Sequence, residues 1–240
     1  MKPSSVARRQ RAPHDRLRAM HDRLLAAYGP QHWWPAQTPF EVILGAYLTQ
    51  NTSWKAVERS LAQLRAAGIF TLDALRAVPL EQLQQLITPS GFFTRKAPAL
   101  KAFVALVDAR FGGSLEQMAA ESTEKLRAAL LALPGVGPET ADAILLYALG
   151  HPVPVADEYL RRIAERHTLL QPEGKRIRYE QLVQLTRQAF AADPPAERPG
   201  LFNEFHALTV AVGKAHCGRT ARCEGCPLAY DLKHPPQPGV

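Results

Sequence analysis

The run Leu133-Pro134-Gly135-Val136-Gly137-Pro138-Glu139-Thr140-Ala141-Asp142, with Asp157 fifteen residues further on in Val155-Ala156-Asp157-Glu158-Tyr159, holds the residue types best suited to chemistry in this chain. Glycine has no side chain and tolerates positive φ, so a turn built on Gly135, Val136 and Gly137 can lay bare backbone N–H groups against another molecule. Phosphate is the natural ligand of such a turn, because the helix that follows adds its own free amides and the positive end of its dipole. Asp157 opens the next helical stretch, where a carboxylate can cap the helix, act as an acid–base group, or do both. A short Gly-x-Gly also marks ordinary helix corners, so the hairpin alone does not settle its use.

A second cluster is Cys217-x5-Cys223-x2-Cys226, which contains all three cysteines of the chain. A disulfide framework would use an even number spread along the sequence, so this clustering points to a metal site or to the remnant of one. Three thiolates and one histidine would suit zinc. Asp231 and His234 are the nearby side chains able to complete a set of four.

Those residues must be placed by helices. Amphipathic helical patterns cover 15–28, 39–50, 53–67, 72–77, 80–87, 94–110, 115–119, 123–132, 139–149, 157–167, 177–191 and 200–214, with short breaks marked by proline or glycine. No convincing strand alternation occurs, and the two prolines of His151-Pro152-Val153-Pro154-Val155 exclude a central strand. The expectation is an all-α protein whose short helices are stable only when packed together.

With 240 residues the chain is long enough to bury a substantial core, as one large domain or two small ones. Its net charge of +7 favours an anionic partner. No apolar run approaches the length of a membrane span. Lys2, Arg8, Arg9, Arg11, Arg16 and Arg18 face a single acid, Asp15, in the first twenty residues, which read as a flexible basic arm without the apolar stretch of a secretory signal. A cytoplasmic location is expected.

Taken together, the ordered blocks resemble the helix-hairpin-helix DNA glycosylase superfamily, and its endonuclease III branch in particular. Leu-Pro-Gly-Val-Gly at 133–137, Asp157, and the C-terminal cysteines occur in that branch's order. A closer resemblance within that branch is to the bacterial 3-methyladenine DNA glycosylase III type, through Trp33-Trp34-Pro35, Phe40-Glu41, Leu44-Gly45-Ala46, Leu48-Thr49-Gln50-Asn51-Thr52, Pro89-Ser90-Gly91-Phe92 and Glu139-x-Ala141-Asp142-Ala143-Ile144-Leu145. The likeness spans about residues 20–230.

This resemblance implies a two-lobed helical protein with a DNA-binding cleft between the lobes. Residues 1–20 would form the arm, 21–40 with 150–232 one lobe, 41–149 the central lobe with the hairpin, and 233–240 a tail. It implies a monomer acting on double-stranded DNA with a damaged base, flipping that base out of the stack and cutting its N-glycosidic bond. Asp157 would be the catalytic carboxylate, and Trp34 and Trp54 the aromatic walls of the base pocket, with core packing as their plainer role. Gln50 would fill the space left by the flipped nucleotide, and Gly135, Val136 and Gly137 would hold phosphate. Arg95, Lys96 and Lys214 are further candidates for phosphate contact.

Glu139 departs from the branch's lyase-competent members, which carry a lysine there to form a Schiff base; a carboxylate cannot form that imine. The expectation is therefore a monofunctional glycosylase for alkylated bases of the 3-methyladenine kind. The alternatives are an endonuclease III-like glycosylase for oxidised pyrimidines or mismatches, and a non-catalytic DNA-binding module. The resemblance also implies a structural [4Fe–4S] cluster, for which this chain supplies three cysteines, the place of a fourth falling near Leu232. A cluster, zinc and a decayed site all remain open at this point.

Overall fold

The computed structural model describes residues 11–33 and 36–232. Among them, helices run over Pro13–Tyr28 (α1), Pro39–Leu48 (α2), Trp54–Ala66 (α3), Leu72–Ala77 (α4), Leu80–Leu86 (α5), Phe93–Phe111 (α6), Leu115–Ala119 (α7), Thr123–Leu131 (α8), Pro138–Ala143 (α9), Glu158–Arg166 (α10), Tyr179–Ala189 (α11) and Arg198–Ala215 (α12). No strand forms among the described residues, where β pairing is limited to two isolated bridges, Glu173 with Arg176 and Cys217 with Ala221. The protein is all-α. No helix is long and apolar enough to cross a membrane.

The chain divides into two compact units, Met1–Gln31 with Ala156–Val240, and His32–Val155. The second is an insertion within the first. Its core helix is α2, in which every residue from Phe40 to Leu48 is buried. Thr38 caps that helix by accepting from the Glu41 N–H at 3.2 Å, and Glu41 accepts from the Gln37 N–H at 2.9 Å. One of the first turn's orphan donors is thus satisfied and the residue before the cap is tied to the helix, which fixes where so apolar a segment starts. Around α2 pack α3, α6 and α9, the last of which runs directly into a π-helical turn at Ile144–Ala148.

In the discontinuous unit, α1 packs on α11 and α12, and α10 packs on α12. Fully buried Phe190 and Phe205 pack on His21, the first in a T-shaped contact at 5.2 Å and the second tilted at 6.1 Å between ring centroids. Gly213 of α12 admits Tyr159 of α10, since a Cβ there would lie 2.2 Å from Tyr159 Cδ1. Glycine is required at that crossing by space, because any side chain would force the two helices apart.

Two expectations change. Residues 13–20, read as part of a flexible arm, are helical, with Leu17 and Met20 buried. The pattern read as continuous α-helix over 139–149 changes to π geometry at Ile144, within a wholly apolar and largely buried stretch.

Candidate active site and nucleic-acid interface

The hairpin lies between α8 and α9. Gly135 takes φ +74°, which only glycine adopts without strain, whereas Gly137 is extended at φ −94° and caps α9. Positive φ therefore explains the first glycine alone. Val136 is buried and anchors the turn, while both glycines are exposed and their N–H groups make no hydrogen bond among the described residues. Exposed, unbonded amides at a helix start are an anion-binding arrangement.

What stiffens the hairpin was not legible in the sequence. Asp142 of α9 is wholly buried and accepts two hydrogen bonds from Arg127 of α8, at 2.6 Å from Nε and 3.1 Å from Nη2. This bidentate pair clamps the two hairpin helices together.

Two further loops of the same unit are tied to this one. Gln50 Nε2 donates to the Thr140 hydroxyl at 3.0 Å, linking the segment after α2 to α9. Lys96 is buried and donates from Nζ to the carbonyls of Leu48 and Ser90, each at 2.8 Å. Burial pushes its pKa down to about 8. Expected to meet phosphate, Lys96 instead pins the Leu48–Gln50 segment to the turn before α6. That turn presents Phe92 in left-handed geometry at φ +49°, with its ring 57% exposed. A strained, exposed aromatic is unusual, because neither packing nor backbone preference supports it.

Trp54 begins α3, is half-buried, and lines an open depression of about 490 Å³ with Glu41, Glu58 and Arg65. Trp34 lies outside the described residues. Its neighbour Trp33 meets Tyr147 edge to face at 6.1 Å.

Asp157 belongs to the discontinuous unit. One carboxylate oxygen, Oδ1, accepts from the Leu160 N–H at 2.9 Å and so caps α10; the other, Oδ2, is 3.6 Å from His206 Nε2. Both side chains are nearly enclosed, at 12% and 8% exposure. The two oxygens of this one group thus have different surroundings, one fixed by the helix cap and the other beside a buried histidine. His206, on α12, escaped the sequence reading because its partner lies 49 residues away, 206 minus 157.

The cysteines border one cavity of about 370 Å³, also lined by His167, His216 and Leu232. Arg166 of α10 donates to Cys217 Sγ at 2.9 Å and to the carbonyls of Gly218 and Arg219. Burial pushes the Cys226 thiol up, and the nearby sulfurs of Cys217 and Cys223 push the same way. A single zinc ion needs its thiolates at about 2.3 Å from one point. No three His, Cys, Asp or Glu side chains surround such a point among the described residues. The three cysteines do share the lining of one cavity, and a cluster differs from a single ion in that each of its irons takes a separate thiolate. Asp231 is engaged with Arg16 and His167, and His234 lies outside the described residues.

Comparison with known proteins decides the family. The profile describing HhH-GPD superfamily base excision DNA repair proteins matches residues 44–188, more than half of the chain, and takes in both the hairpin and Asp157. The chain belongs to this superfamily. Among HhH-GPD proteins it is similar to the putative DNA repair glycosylase MJ1434 of Methanocaldococcus jannaschii, with 39% identity over 207 residues covering 85% of this chain and 90% of that one. Its structure is similar to that of H. pylori 3-methyladenine DNA glycosylase (MagIII) bound to 1,N6-ethenoadenine, with TM-score 0.71 and 29% identity over 85% of this chain and 98% of the other. A trapped endonuclease III–DNA covalent intermediate aligns with TM-score 0.72 over 92% of this chain and 95% of that one, at 21% identity, a likeness of fold.

Proposed function

We propose that this HhH-GPD protein is a monofunctional DNA glycosylase that hydrolyses the N-glycosidic bond of alkylated purines, with Asp157 as the catalytic carboxylate. The observation that carries the reading is the division of labour at Asp157, whose Oδ1 is held by the Leu160 N–H while Oδ2 remains beside His206. A carboxylate so fixed stabilises the cation-like sugar that forms as the bond breaks, without having to reorganise.

In the proposed reaction the base leaves with the bonding electron pair. An alkylated ring already carries positive charge, so it departs neutral and needs no proton. Water then supplies the oxygen that bonds to the sugar carbon, and its proton passes to Asp157. Glu139, exposed in the first turn of α9, offers no amine where a lyase would need one, in keeping with release of an intact abasic site.

Binding falls to the other unit. The free amides of Gly135 and Gly137 hold phosphate, Phe92 presses against the base stack as an apolar wedge, and Gln50 faces the vacated position. The half-buried face of Trp54 attracts a cationic base more strongly than a neutral one. Cys217, Cys223 and Cys226, which line the cavity, would hold a [4Fe–4S] cluster that would supply structural cross-linking of the final loop rather than a step of the hydrolysis.

The test is single-turnover base release from duplexes carrying 3-methyladenine, 7-methylguanine, thymine glycol or a G·T mismatch, with strands probed before and after alkali. Methylpurine release that is abolished by Asp157→Asn, with breaks only after alkali, is expected. Thymine glycol release with spontaneous nicking would overturn the assignment, and no release from any duplex would leave only a binding module.

A further inference from the structure

The three cysteines leave one corner of a four-iron cluster without a thiolate, since Leu232, at the place of a fourth cysteine, cannot ligate metal. The residue beside it shows what can. Asp231 is clamped by Arg16, whose Nε and Nη2 donate to its two oxygens at 2.9 and 2.5 Å. Held in this way, Asp231 Oδ2 lies 3.0 Å from His167 Nδ1. Arg16 also donates to the His167 carbonyl at 2.7 Å, fixing the backbone that carries the ring.

A histidine that ligates metal through one ring nitrogen usually gives the other N–H to a carboxylate, which sets the tautomer and the direction of the free lone pair. With Nδ1–H on Asp231, the lone pair of His167 sits on Nε2. The ring is buried, with 5% of its side chain exposed, and borders the same cavity as Cys217, Cys223 and Cys226. His216 also borders that cavity and pairs Nδ1 with the Arg222 carbonyl at 2.9 Å, but it is only partly buried and its partner is a backbone carbonyl. His167 is buried and is tied to Asp231, next to the place where a fourth cysteine would fall.

We propose that His167 Nε2 is the fourth ligand, making a Cys3His set for the cluster. This rests on the cluster reading given above. Imidazole replaces thiolate on iron in other iron–sulfur centres, where it raises the reduction potential because a neutral ligand takes the place of an anion. Arg166, donating to Cys217 Sγ, lowers the negative charge of the site further. The expected centre is one that is more readily reduced than an all-thiolate cluster and has a single distinct iron.

The experiment uses the full chain, purified without air and supplied with iron and sulfide, as wild type, His167→Ala, His167→Cys and His216→Ala. Iron and sulfide content, visible absorption and pulsed electron paramagnetic resonance of the reduced cluster are recorded. The wild type should show hyperfine coupling to a ligand nitrogen; His167→Cys should keep its iron but lose that coupling; His167→Ala should lose iron to a chelator faster than the wild type; His216→Ala should match the wild type. Should His167→Ala fail to fold, His167→Cys decides alone. Nitrogen coupling that persists in His167→Cys, or disappears in His216→Ala, overturns the assignment of His167 and leaves the cluster standing. A wild type that takes up no iron overturns the cluster reading, and this assignment with it.

Discussion

Replacing Arg127 with methionine would remove the guanidinium from a carboxylate buried inside the protein. Asp142 is wholly buried and both of its oxygens accept from Arg127, so the variant leaves a charge without the guanidinium that faces it. An exposed pair would be worth at most about 1 kcal/mol. Removal of one partner from a buried pair costs about 3–5 kcal/mol, because the desolvation penalty of the survivor is no longer offset. At about 2–4 °C per kcal/mol for a chain of this size, the melting temperature should fall by roughly 10 °C. Arg127→Met with Asp142→Asn removes the buried charge while keeping the shape, and should recover at least half of the loss. Thermal unfolding followed by circular dichroism, with DNA binding measured at a temperature where both variants are folded, checks this. A single variant within about 1 kcal/mol of wild type, or a double variant no more stable than the single, refutes the view that the hairpin is held by a buried ion pair.

Asp157→Asn should retain the cap on α10 and melt like wild type, yet lose roughly 10²–10⁴-fold in base release; Asp157→Ala should lose about 1 kcal/mol of stability as well, so comparing melts with single-turnover rates separates the two roles. Lys96 titrates near pH 8 when folded and near 10.5 when unfolded, so the unfolded chain binds more protons between those values. Stability of wild type relative to Lys96→Met should therefore rise from pH 8 to 10.5, as read by denaturant unfolding across that range. Gly213→Ala should cost about 1–3 kcal/mol through overlap with Tyr159, seen as a lower midpoint in urea.

The helices were largely legible because their ends are written locally. Thr38, Thr71 and Ser114 cap their helices by accepting backbone N–H groups, and Pro39 and Pro138 stand at first positions. The π turn at Ile144–Ala148 was not legible, because an all-apolar run reads alike in either geometry and packing makes the choice. Of the candidate site, Asp157, the hairpin glycines and the cysteines stand out in the sequence by type and spacing. Their supports did not. Arg127 with Asp142, Lys96 with Leu48 and Ser90, His206 with Asp157, and His167 with Asp231 are pairings between distant segments, and each side chain alone would pass for an ordinary surface charge or core histidine.

The insertion of His32–Val155 within the other unit has a consequence for synthesis. Helix α1 leaves the ribosome before the inserted unit, but the helices that cover it, α11 and α12, follow that unit, and Arg16 meets Asp231 across 215 positions. Leu17, Met20 and Leu24 must therefore wait in solvent while the inserted unit, whose contacts are all nearer in sequence, can already collapse. Such a nascent chain exposes an unpaired apolar stripe throughout synthesis of the inserted unit, at about 5–20 residues per second. Chaperone dependence and aggregation on overexpression should therefore track the delay before α11 and α12 emerge, and a circular permutant that places α1 after α12 should shorten it.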